Sequence, residues 1–373
     1  MNAHDEQREQ LPAEDRVLSA EEMDDLLASE RQPPEVTYST QDFPVDALVK
    51  RIKRGSMRIP QFGVDDPKHR VDGFQRGFVW TKAQMDRFVE SLLLGYPVPG
   101  IFLVKQADNI MLILDGQQRL ETLRRFYDGV HAERTFKLEN VGDEFKGLTY
   151  ETLDESLRLK LDDSFMHATI VATDGSKAVN DAIYGIFERL NSGGTQLTPH
   201  EIRVALFAGQ LMVLVERLNS NEAWRQLYGP PNKRIRDHEL VMRILALYLE
   251  AEAYSRPLKK FLNAFSDDFR DSTSLPRQAE SLFMDAATAL QDSIGREAFR
   301  REGGSQLNTA QTEALMVAAM RNIASSTLTS DIPGALASLR NSDAFNRATT
   351  RATADNDAVK DRLREATAAL DGS

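Results

Sequence analysis

Apolar positions between Val36 and about Asp174 switch between a period of two and a period of three to four, the pattern of a unit that mixes strands with helices. The clearest helical stretch runs from about Lys82 to Leu94, where Met85, Phe88, Val89, Leu92 and Leu93 form one apolar face. Thr81 stands before it as an N-cap, Gln84 follows three residues on to reach back, and Gly95 supplies the stop. Gly100 to Lys105 and Ile110 to Leu114 then read as two strands, and the polar segment Gln106-Ala107-Asp108-Asn109 between them predicts a hairpin. The second strand runs straight into Asp115-Gly116. After it, Gln118 to Tyr127 has helical spacing and Gly129 closes it.

The pattern changes past a glycine-rich stretch, Asn191 to Thr195. Thr198-Pro199-His200-Glu201 combines an N-cap, a proline in the first turn and a capping-box glutamate. Beyond it helical periods dominate, as in Glu239 to Leu249, Arg277 to Leu290 and Ala310 to Asn322. From Thr349 onward the chain is helix-prone but weakly apolar, so this tail is expected to pack loosely. The expected class is therefore α+β, with a mixed α/β domain over 37–205 and an all-helical domain over 206–373.

Composition narrows this picture. The chain has 373 residues, above the size at which one core stops growing easily, and its 41% apolar and 28% charged residues are those of a globular protein. It has no cysteine, which excludes disulfides, thiolate metal sites and cysteine nucleophiles. No run approaches the roughly 20 apolar residues of a membrane span. The first residues lack a basic segment followed by an apolar one, so no secretory signal is expected and the address is read as cytoplasmic. Residues 1–36 hold eleven acids against Arg8, Arg16 and Arg31, a net −8 of the chain's −11, and read as an acidic, disordered leader ending near Pro33-Pro34. Within it Ala20 to Ser29 could form a short helix. The remaining body, at −3, is nearly neutral and can carry a basic patch. The run Lys50-Arg51-Ile52-Lys53-Arg54, with Arg58, is the candidate for contacts to DNA phosphates, although such a run is more often a solvated helix face.

The chemistry concentrates where a strand turns directly into a helix. First-turn amides have no intrahelical partner, and with the helix dipole they favour an anion. At Asp115-Gly116-Gln117-Gln118-Arg119, Gly116 lets backbone approach a phosphate and Arg119 offers a forked donor. Asp115 could hold a metal or a water, and Gln117 or Gln118 could orient it. The plainer alternative is a tight turn in which Asp115 caps the helix and Arg119 is solvated. Two further segments stand near candidate ligands. Arg76, beside Gly77 and between the aromatics of Phe74 to Trp80, is a candidate phosphate contact, although such aromatics are more often core anchors than base-stacking platforms. Arg189, Gly193 and Gly194 could close over a nucleotide while Glu188 and Asn191 supply oxygen ligands for magnesium, or the two glycines only end a helix.

FQRGFVW at Phe74 to Trp80, ESLLLGYPVPGIFL at Glu90 to Leu103, LDGQQRLETL at Leu114 to Leu123 and FERLNSGGTQLTPHEIR at Phe187 to Arg203 occur in the order and spacing of one family. Together they resemble the DGQQR-motif domain of GmrSD-type restriction systems, which is more remotely similar to ParB and sulfiredoxin-like folds. Asp237-His238-Glu239-Leu240 and Phe261-Leu262-Asn263 resemble that family's helical continuation. The resemblance implies a nucleoside triphosphate bound by Gln75-Arg76, by Asp115 to Arg119 and by Glu188 to Asn191. It also implies nucleotide hydrolysis that controls DNA cleavage. Two residues are added here between Glu188 and Leu197 relative to the ParB-like pattern, at the segment that would hold the metal. Family members often carry an HNH-type nuclease; beyond residue 167 this chain has only His200 and His238, and no such motif follows them.

Two readings follow. One is a nucleoside triphosphate-binding and hydrolysing switch using magnesium, without its own nuclease. The other is a nucleotide-gated DNA-binding module without turnover. Both allow a separate nuclease subunit and leave open which base is bound and whether the chain forms a homo-oligomer.

Overall fold

The computed structural model describes residues 36–58, 80–106, 109–190, 198–232, 234–271, 275 and 277–373. The architecture is α+β, with a sheet-bearing unit followed by a helical one. By chain contacts the division falls between Gln196 and Leu197.

In the first unit the elements run β1 (Tyr38–Pro44), α1 (Val45–Lys53), β2 (Met57–Arg58), α2 (Lys82–Leu94), β3 (Ile101–Lys105), β4 (Met111–Asp115), α3 (Gln117–Asp128), β5 (Val130–His131), β6 (Arg134–Thr135), α4 (Glu155–Asp162), β7 (Phe165–Ala172) and α5 (Lys177–Leu190). Five strands make a mixed sheet in the order β1-β7-β3-β4-β2. β7 is antiparallel to β1 and parallel to β3, while β4 is antiparallel to β3 and parallel to β2. The β3–β4 hairpin forms where the sequence places it, with Gln106 N donating to Ile110 O and Asn109 at φ 62°. The ladder shifts between Phe102 and Leu103: Leu103 faces Ile113 but Phe102 faces Asp115, so Leu114 is an extra residue.

One hydrophobic cluster joins Ile101, Leu103, Ile113, Met166, Ala168 and Ile170 of the sheet to Leu48 and Val49 of α1, Met85 and Val89 of α2, and Leu120, Leu123 and Phe126 of α3. The last three are fully buried, and each contributes about 2 kcal/mol through burial. β7 shows the strand period directly: Met166, Ala168 and Ile170 are buried, while Phe165 and His167 between them are exposed. The capping box on α2 is present on both sides, with Thr81 N donating to Gln84 Oε1 at 2.8 Å and Gln84 N to Thr81 Oγ1 at 3.3 Å. Gly95 ends the helix at φ 78°.

The second unit is helical: α6 (Pro199–Leu206), α7 (Gln210–Asn219), α8 (Glu222–Tyr228), α9 (Arg236–Glu250), α10 (Leu258–Asp268), α11 (Arg277–Ser293), α12 (Thr309–Ala324), α13 (Ile332–Asn341), α14 (Asp343–Thr350) and α15 (Asn356–Ala369). α6 starts with the expected Thr198–Glu201 capping box and Pro199 in its first turn. The tail corrects the expectation of loose packing. Val359, Leu363, Ala366 and Leu370 are buried, and Arg362 is 2% exposed and bonded to Glu313 of α12, which Arg243 of α9 also approaches at 2.6 Å. A helix poor in large apolar residues is docked here by a buried charge triad, which hydrophobic periodicity does not register.

Among the described residues no helix is long and apolar enough to cross a membrane. The acidic leader, with its Ala20 to Ser29 helix, lies outside the described residues.

Candidate functional site

β4 ends at Asp115, Gly116 turns the chain, and α3 starts at Gln117. Gly116 has φ 93°, a region that favours glycine, and a Cβ placed there would stand 2.5 Å from Ile101 Cγ2 and 3.3 Å from Arg119 Nη2. Both the dihedral and the space therefore require glycine. Among the described residues no side chain caps α3, and its first turn holds no acidic residue. The alternative in which Asp115 merely caps the helix does not hold, because its carboxylate turns to Arg119 instead. Arg119 Nη2 donates to Asp115 Oδ2 at 2.7 Å, and Nη1 donates to Pro99 O at 3.2 Å. Arg119 is thus held across the helix start, not solvated. α3 offers amides and a guanidinium to an anion from one end.

The two glutamines fasten this turn. Gln117 Nε2 donates to Ile113 O at 3.2 Å, and Gln118 Oε1 accepts from Trp80 N at 3.2 Å, tying α3 to the chain entering α2. Thr122 Oγ1 donates to Gln118 O at 2.7 Å. Further along α3, Glu121 accepts from Arg124 at 2.6 Å and Arg125 at 2.7 Å. Burial pushes the Glu121 carboxyl up, but these two guanidinium groups outweigh it and hold it below its ordinary value. Tyr127 and Tyr150 stack and both donate to Asp162, at 2.6 Å and 3.1 Å. Burial and then Asp162 raise the Tyr127 hydroxyl strongly, and burial with Asp162 raises Tyr150 to about 12. Both stay protonated donors, so the helix bearing the site is fixed along its length.

Residues 48–208 match the family model of the GmrSD restriction endonuclease, N-terminal domain. The chain carries a GmrSD-type N-terminal domain. That domain marks it as a component of a restriction-type defence system. No curated protein and no solved structure matches the chain.

Within the GmrSD-type domain the other expected ligand residues fall unevenly. Gln75, Arg76, Asn191, Gly193 and Gly194 lie outside the described residues, as do the side chains of Glu188 and Arg189, whose backbone is in α5. Among the described residues no group of three or more histidines and acids could hold a metal ion. The basic run lies on and just after α1 and is partly neutralised: Lys50 pairs with Asp46 and Lys53 with Asp128, each at 2.6 Å. Arg51 lies over the Phe43 ring, and Arg58 Nε donates to Gly55 O. Arg54 caps the C-terminal end of α1.

Two features escaped the sequence reading. His167 of β7 faces Asp42 of β1 across the ladder, and their side chains bond, Nδ1 to Oδ1, at 2.8 Å. The second feature is in the helical unit, where His200 Nε2 and His238 Nδ1 lie 2.7 Å apart and buried. Arg203, which can only donate, reaches His200 Nδ1 at 3.2 Å, so His200 carries its proton on Nε2 and gives that bond to His238. Arg203 Nε also donates to Asn263 Oδ1 at 3.0 Å, and Glu201 receives Arg234 at 2.9 Å. The polar residues of the Thr198 to Arg203 motif therefore brace the helical unit's interior. Burial holds His200 well below its ordinary value and lowers His238 to about 4, so both are neutral at pH 7.

Proposed function

We propose that this domain binds a nucleoside triphosphate with its phosphates on the N-terminus of α3 and hydrolyses it. In this reading it is the switch of a restriction-type system directed against foreign DNA, with cutting done by a separate nuclease subunit. The observation that carries the reading is the turn at Gly116, where amides that no side chain caps among the described residues and the Arg119 guanidinium serve one end of α3. A phosphate there meets backbone dipoles and a forked donor without an acid in the helix's first turn.

Asp115 supports the magnesium part of this reading. A carboxylate beside a triphosphate is repulsive unless a cation joins them, and its side chain is 60% exposed. Magnesium binds through one or two carboxylates together with substrate phosphates and keeps several waters, so one accessible acid at the phosphate seat fits it. When bound, it neutralises charge on the phosphate oxygens. Arg119 then orients the phosphates, and Gln117 and Gln118 keep the turn rigid.

The experiment is calorimetric titration of the full chain with each of the four nucleoside triphosphates and magnesium. Arg119→Ala is expected to weaken binding by about 1.5–3 kcal/mol, the usual range for hydrogen bonds to a charged group. Equal affinity in native protein and variant, or no binding to the native protein, would reject the phosphate seat.

A further inference from the structure

We infer that His167, oriented by Asp42, is the residue that accepts the proton of the attacking water in this site. The inference rests on the triphosphate reading above and names a catalytic group that the motif does not contain.

The geometry begins at the dipeptide Pro99-Gly100, which leads into β3. Arg119 touches it from the α3 side, with Nη1 at 3.2 Å from Pro99 O. His167 touches it from the β7 side: a Cβ placed on Gly100 would stand 2.8 Å from the His167 carbonyl oxygen and 3.5 Å from the His167 Cβ. The register continues the same way, with Ile101 beside Ala168 and Phe102 beside Thr169, and Phe102 facing Asp115 on its other side. His167 and Asp115 therefore stand on the two strands flanking β3, offset by two residues along them and about 12 Å apart. Gly100 has no side chain, and that lets the His167 backbone pack directly against it. A terminal phosphate on the α3 amides and a water beyond it fit that span.

The chemistry of the pair is specific. Asp42 accepts from His167 Nδ1–H, which fixes the tautomer and leaves Nε2 as the basic nitrogen. Both side chains are more than half exposed, and the bond to Asp42 is the one the His167 imidazole makes among the described residues. In the step, the water oxygen forms a bond to the terminal phosphorus as the bond from that phosphorus to the bridging oxygen breaks. The water proton passes to His167 Nε2, and the nucleoside diphosphate leaves with the bridging oxygen's electron pair. His167 is catalytic in this scheme, and Asp42 is a positioning residue.

The test is triphosphate turnover, followed as phosphate release, alongside calorimetric affinity, in the full chain and its His167→Ala and Asp42→Ala variants. His167→Ala is expected to bind triphosphate within about twofold of the native protein and to turn over at least about a hundredfold more slowly, the lower range for general-base catalysis. Asp42→Ala should lose about tenfold. Added imidazole should restore turnover to His167→Ala and leave Asp42→Ala unchanged, because only the former has lost the base. Unchanged turnover in His167→Ala, a loss that imidazole fails to restore, or native protein that binds triphosphate without hydrolysing it overturns the inference while leaving the phosphate seat standing. Failure of native protein to bind any triphosphate rejects the earlier reading itself, and this one with it.

Discussion

Arg119 Nη2 lies 2.7 Å from Asp115 Oδ2, and the two partners differ sharply in exposure, the arginine side chain at 12% and the aspartate at 60%. The guanidinium is held from two sides, by Asp115 and by the Pro99 carbonyl, whereas among the described residues the carboxylate pairs with this arginine alone. So exposed a pair contributes little to stability, about 0–1 kcal/mol. Its consequence is chemical. Asp115 is available to a cation without unfolding anything.

Asp115→Asn separates binding from turnover. Asparagine keeps the size and can still accept a bond from Arg119, but it removes a charge that repels the triphosphate. We expect affinity equal to native or higher, and phosphate release at least about tenfold slower, equivalent to roughly 1.4 kcal/mol of barrier. Unchanged turnover would remove Asp115 from the reaction.

Gly116→Ala should lower stability and binding together. The added methyl enters a backbone region that costs a non-glycine residue roughly 1 kcal/mol or more, and it meets Ile101 Cγ2 at 2.5 Å. A denaturant titration should show a loss of about 1–3 kcal/mol. A midpoint equal to native would mean that the turn relaxes freely, and that the pinned geometry assigned to the site is wrong.

The buried histidines predict acid sensitivity with a definite sign. His238 titrates at about 4 in the folded chain against an ordinary value of 6.5, and His200 is depressed as well. The unfolded chain therefore takes up protons first, so this stability is complete above about pH 6.5 and is lost as pH falls toward 4. For His238 alone the loss approaches about 3 kcal/mol. Melting temperatures between pH 7 and 4.5 should fall more steeply for native protein than for a His200→Gln, His238→Gln double variant, which will be less stable at neutral pH. Parallel slopes would show that other groups carry the acid response.

Local sequence determined much of this protein. Thr81 with Gln84, Thr198 with Glu201, and the glycines at 95, 116 and 129 act over three or four residues, so helix starts and stops were legible in the chain, as was the β3–β4 hairpin. The strand–turn–helix at Asp115-Gly116 was legible for the same reason.

Tertiary structure alone decided which distant groups met. Asp42 and His167 are separated by 125 positions and become neighbours only when β1 and β7 pair, which no local pattern specifies. The shift that makes Leu114 an extra residue and sets Asp115 opposite Phe102 belongs to the ladder, not to either strand. The tail looked weakly apolar because periodicity counts hydrophobic positions, whereas Arg362 docks it through a buried Glu313 that also serves Arg243. A cap or a turn is satisfied within its own stretch of chain, but a buried charge or a paired imidazole needs a partner that only the completed fold supplies.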